Sequence, residues 1–276
     1  MSSKFGLLML GCLLAGAAFA QTPPPGGVYT PGQFQKTNPY SLLPNPFYFE
    51  GRIDWNLLHI TQPKNAWEYM QRGIHYQDDV NDTKSAIADY QTALALNSMQ
   101  NNTCQVVTAA TLVNGALPSQ LNPAPCIFTL RLRLGNLLQQ TDPAQAISLF
   151  QEVLKIDPLK LGINSLIGET YVITAEQTTD PTAQLQAYTN AIAAFRAELA
   201  LSPVTAQTTA LTGDLANNAH VHWALAEIYR TLGESANELS ELQLYLQATQ
   251  WHSDVYPWRI SLANTRMKML QAQALH

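Results

Sequence analysis

The sequence predicts an all-α fold: a helix-turn-helix repeat solenoid with a Pro-rich N-terminal arm and a C-terminal capping helix. Three observations predict it. Apolar residues recur with a 3.6-residue period from about residue 64 onward. A small residue followed by an aromatic or leucine three positions later returns four times along that stretch. Prolines crowd into the first 50 residues and afterwards stand mainly between helical stretches.

Residues 1–20, MSSKFGLLMLGCLLAGAAFA, have the layout of a secretory signal peptide. Lys4 supplies the positive charge, Phe5 to Ala17 the apolar stretch, and Ala18-Phe19-Ala20 the small-x-small signal for cleavage after Ala20. The expected location is periplasmic or secreted. A lipoprotein held through Cys12 is the competing reading, although Met9-Leu10 before Gly11-Cys12 matches a lipidation signal poorly.

Residues 21–50 contain seven of the sixteen prolines, together with Gly26, Gly27 and Gly32, which excludes a helix and predicts an extended arm. Phe47, Tyr48, Phe49, Ile53, Trp55, Leu57, Leu58 and Ile60 follow and are too apolar to remain in water. They either cap the first helices or dock on another protein. Export leaves Cys104 and Cys126, and an even count in an oxidising compartment predicts a disulfide. It would close an insertion at 101–127, a constraint of about 3 kcal/mol in the chain-entropy model.

Within residues 51–276 the helical repeats fall near 66–99, 128–158, 162–203 and 218–250. The first carries Gly73, Tyr76, Ala86, Tyr90 and Ala93. The second carries Leu134, Gly135, Leu138, Ala146, Phe150, Val153 and Pro158. The third has Gly168 and Tyr171, then Ala191, Phe195, Glu198 and Pro203, with an insertion expected around Thr178 to Pro181. The fourth has Leu225, Ala226, Tyr229, Leu232, Gly233, Leu239, Leu242 and Tyr245. A small residue in the first helix allows close approach, and large residues of the second fill the gap. A last helix over 256–274 closes the array, Pro257 suiting its first turn. Trp258, Ile260, Leu262, Met267 and Leu270 are its expected apolar side, and Arg259, Arg266 and Lys268 its wet side.

This pattern resembles the tetratricopeptide repeat, W-x2-L-G-x2-Y, then A-x3-F-x2-A, then P. The likeness covers about 66–250 and is best in LGNLLQQTDPAQAISLFQEVLKIDP at 134–158. Glu238 departs from it, standing where the family has Ala. The resemblance implies a superhelix whose first helices line a concave groove for a peptide or helix. It places Trp67, Met70, Ile74 and Gln77 of the first repeat on that groove, then Thr129, Leu132, Arg133, Asn136 and Gln139 of the second. Ser165, Glu169 and Val172 follow from the third, and His220, Trp223, Glu227 and Arg230 from the fourth. Trp223 and Arg230 are the expected anchors, Trp and Arg being enriched at interface hot spots. For Trp67 and Trp223, packing between repeats or under the arm stays an open alternative.

Composition narrows the function. Only 13% of residues are charged and the net charge is −5, which argues against a nucleic-acid partner. No phosphate-loop, dinucleotide, nucleophile-elbow or zincin motif occurs, and Asp78-Asp79 read as solvated turn residues. His220 and His222 should lie on different sides of their helix, which opposes a metal pair. No cofactor, metal or catalytic set is expected. The expected function is that of an exported scaffold or adaptor for a protein or peptide partner, in assembly of a cell-envelope complex. A self-associating structural or surface protein, the arm of one chain in the groove of the next, is the alternative.

Overall fold

The computed structural model describes residues 60–96, 127–201, 214–249 and 257–274. The signal segment, the Pro-rich arm, Cys104 and Cys126 lie outside the described residues. Among the described residues there are nine α-helices and no strand. They are α1 (Ala66–His75), α2 (Thr83–Leu96), α3 (Ile127–Leu138), α4 (Pro143–Ile156), α5 (Ile163–Gln177), α6 (Pro181–Leu201), α7 (Asp214–Leu232), α8 (Ser235–Thr249) and α9 (Pro257–Gln273). A single π-helical turn, Tyr76–Val80, prolongs α1. None of these helices is long and apolar enough to cross a membrane.

Local chemistry sets the helix ends. Asn65 caps α1, its Oδ1 accepting the Glu68 N–H at 2.9 Å, while the Glu68 carboxylate takes the Lys64 N–H in return. Asp142 caps α4 by accepting the Gln145 N–H at 3.0 Å, with Pro143 in the first turn. Gly233, at φ 76°, turns the chain between α7 and α8, a left-handed conformation that favours glycine.

The cap of α5 comes from elsewhere in the chain. Gly162 precedes the helix at φ 86° and has no side chain to offer. Glu198 of α6 supplies the missing acceptor, its Oε1 taking the Gly162 N–H at 2.6 Å. Burial pushes the Glu198 carboxyl up in pKa, and the amides of Gly162, Ser165 and Asn164 pull it part of the way back.

Helices pack in sequence as hairpins: α1 with α2, α3 with α4, α5 with α6, and α7 with α8, each leaning more lightly on the next. One contact recurs inside the first three. A Cβ at Gly73 would lie 2.6 Å from Tyr90 Cε1, one at Gly135 2.5 Å from Phe150 Cε1, and one at Gly168 2.8 Å from Phe195 Cε1. In the fourth hairpin Ala226, Leu242 and Tyr245 are buried together. The core is correspondingly a run of three clusters along the chain. The first spans α1 to α5 from Trp67 to Ile167, with Ile60 packed against it. The second joins α5, α6 and α7, and the third joins α7, α8 and α9.

Two expectations need correction. The third hairpin carries no inserted loop: α5 continues six residues past Tyr171 to Gln177, and α6 opens ten residues before Ala191, at Pro181. Longer helices absorb the extra sequence. The capping helix is also turned. Arg259 is buried and Arg266 mostly so, whereas Trp258 and Leu262 are exposed. The Arg259 and Arg266 guanidinium groups lie 5.6 and 5.5 Å from the Trp223 ring centre. Arg266 also donates to Glu227 and, through Nε at 2.9 Å, to Glu238. Cation-π contact and paired carboxylates make burial of the two arginines favourable.

Two outcomes follow. Gly135→Ala drives a methyl into the fully buried Phe150 ring and should cost about 1–3 kcal/mol in urea unfolding, part of it recovered by adding Phe150→Leu. Glu198→Ala strips the acceptor from the start of α5 and should cost about 1–3 kcal/mol in the same assay, Glu198→Gln costing less.

Candidate partner-binding surface

The residues expected on a groove belong to α1 with its π-helical turn, α3, α5 and α7. Trp67, Met70 and Ile74 are buried in the first cluster beside Tyr90, Leu130, Leu132 and Leu134. Arg133, Gln139, Trp223 and Glu227 are buried as well, with Thr129, Leu132 and Ser165. Asn136, Glu169, Val172 and His220 are half-buried, and Arg230 is exposed. Solvent therefore reaches a mainly polar subset of the expected lining together with Val172, while the aromatic residues and the other aliphatic ones are packed inside.

The buried polar members are occupied in a regular way. Arg133 of α3 reaches the π-helical turn, donating to Asp78 at 2.9 and 3.1 Å and to Gln77 Oε1 at 2.9 Å. Gln77 Oε1 also accepts the Tyr90 hydroxyl at 2.7 Å. Asp78, exposed in the turn, is an ion-pair partner as well, and Asp79 bonds the His75 ring at 2.9 Å. Gln139 of α3 donates to Thr170 Oγ1 of α5 at 3.0 Å. His220 of α7 bonds Glu169 of α5, Nε2 to Oε1, at 2.6 Å. Glu227 of α7 receives Arg230 at 2.7 Å and Arg266 of α9. One polar rung thus joins each first helix to the next, from α1 through α9.

His222 points the other way, as the two-residue spacing predicts, and bonds Glu241 of α8 at 2.7 Å. Arg196 of α6 joins that pair, 3.3 Å from Glu241 and 3.2 Å from the Tyr229 hydroxyl. Trp223 is the hub of the last cluster, its ring 5.2 Å from Tyr245 and 6.3 Å, edge-on, from Trp258. Sequence reasoning named Gln77 for the groove without its bond to Arg133, and missed Asp78, Thr170, Glu238 and Arg266 as partners. Only Glu238 gave a signal: a carboxylate at a family alanine position, buried by the helix period, demands a cation.

Among the described residues no group of three or more His, Cys, Asp or Glu side chains is placed to hold a metal ion. One carboxyl does stand apart. Glu176 of α5 is half-buried, its Oε2 has no hydrogen-bond partner, and burial pushes its pKa up to about 7. The Tyr188 hydroxyl of α6 is raised as well, by burial and then by the Glu176 charge. A raised folded pKa means that the folded chain holds the proton more tightly than the unfolded one. That stabilisation is complete below the unfolded value and is lost as pH rises through about 7. Glu176→Gln should therefore be more stable than the native chain at pH 8, by about 1 kcal/mol after solvent screening, and equal to it near pH 4. Urea midpoints across that pH range check the sign.

The comparisons with known proteins stand beside this geometry without adding a relative: no protein-family model, curated protein or solved structure matches the chain.

Proposed function

We propose that this chain is an exported scaffold of tetratricopeptide type, which holds a segment of a protein partner along its first helices during assembly of a cell-envelope complex. The observation that carries the reading is the return of one contact, a bare glycine backbone under an aromatic ring, at Gly73 and Tyr90, Gly135 and Phe150, and Gly168 and Phe195. Such periodic packing extends a surface along its length, and extended surfaces bind other chains. The accessible part of that surface carries Asn136 on α3, Val172 and Glu169 on α5, His220 of α7 bonded to Glu169, and Arg230 of α7 paired with Glu227. An extended or helical segment of low charge, held through side-chain and backbone hydrogen bonds, suits it. A net charge of −5 offers nothing to a phosphate backbone.

Cross-linking in intact cells with mass spectrometry tests this, comparing the native chain with an Asn136→Ala/Arg230→Ala variant. Arg230 is exposed and Asn136 half-buried, whereas Trp223→Ala would empty a packed cluster and confuse lost binding with lost folding. A partner segment captured by the native chain, and about tenfold less by the variant, is the expected result. Equal capture by both would move the interface away from the first helices. Self-links alone would favour the self-associating structural protein.

A further inference from the structure

The turn of α9 that buries Arg259 and Arg266 brings a different stripe to the outside. Trp258, Leu262 and Met269 are 51%, 41% and 58% exposed, and Thr265 and Ala272 between and beyond them are exposed too. Their spacing alternates four and three residues, the a/d pattern of a two-helix seam rather than the wider face that packs on a globular core. The inner side is already spent: Ala263 is fully buried, and Ile260, Met267 and Leu270 pack against the third cluster. The outer side carries a tryptophan, a leucine and a methionine in line.

We infer that α9 pairs with α9 of a second copy of the chain, antiparallel, about a two-fold axis at Thr265. The order of side-chain sizes selects that occupant. Reversed upon itself about Thr265, the stripe sets Trp258 level with the small Ala272 of the other copy and Leu262 within one residue of the level of Met269, so that large meets small and middle meets middle. An isologous interface requires such self-complementarity, which a stripe shaped for an unrelated protein has no reason to possess. Charge is compatible. Lys268 on the polar flank is offset from its own copy by about 9 Å along the helix axis. Arg266, at the edge nearest the axis, is neutralised by Glu227 and Glu238. The pairing is independent of the partner segment proposed above, because it uses the outer side of the last helix.

Sedimentation of the full chain over about 1–100 μM tests it, since a short helix pair buries a modest area and should associate in that range. The apparent mass is expected to double across the series. Leu262→Glu and Met269→Lys, both at exposed positions, should each hold the chain monomeric with unchanged circular dichroism. Combining them should restore the dimer, because each new carboxylate then meets the new ammonium of the other copy. Thr265→Cys should cross-link to itself under oxidation faster than Gln271→Cys, on the flank of the same helix. A monomer at every concentration, or a dimer indifferent to both single substitutions, overturns the proposal.

Discussion

The hairpins depend on how closely two helices approach where an aromatic ring lies on bare backbone. Glycine in the middle of a helix costs about 1 kcal/mol relative to alanine, so Gly73, Gly135 and Gly168 each weaken their own helix. Burying a phenylalanine or tyrosine side chain is worth roughly 2–3 kcal/mol, and Tyr90, Phe150 and Phe195 are wholly buried. The second effect wins, provided that the ring lies flush. Any Cβ would stand closer than 3 Å to a ring carbon at all three positions, so the separation of the helices follows from the absence of one atom. Once that separation is set, each hairpin meets the next mainly through its second helix, and first helix reaches first helix through side chains.

Those meetings use polar chemistry. Apolar ridges alone would tolerate a slip of one turn between neighbouring first helices, at little loss of area. A two-pronged bond from Arg133 to Asp78, or a single one from Gln139 to Thr170, does not tolerate it. Buried ion pairs add little net stability over an apolar packing, yet removing one partner is expensive. Their effect in this chain is on register: each rung holds one hairpin at one height against the next. Glu241 does the same on the other side, gathering His222 and Arg196 from two different helices.

Much of this was legible in the residues. The small-residue and ring positions marked the hairpins correctly, because close packing demands those types wherever it occurs. The last helix, α9, runs over Pro257–Gln273. The side it presents was not legible. A helix-period count scores arginine as wet, and only the neighbourhood of Trp223, Glu227 and Glu238 makes burial of Arg259 and Arg266 favourable. The groove suffered from the same blindness. Arg133 and Asp78 are 55 residues apart, and Glu169 and His220 are 51 apart, distances over which no periodicity tells a free side chain from a bonded one.

The four rungs differ in kind. Arg133 with Asp78 and Arg266 with Glu227 are charged, His220 with Glu169 pairs an imidazole with a carboxylate, and Gln139 with Thr170 carries no charge at all. Dissolved ions attenuate attraction between charges, most strongly where solvent reaches them, as it does at Asp78. They have nothing to attenuate between an amide and a hydroxyl. Ionic strength therefore weakens the Arg133–Asp78 rung most, reaches the shielded Arg266–Glu227 pair less, and spares the junction of α3 with α5.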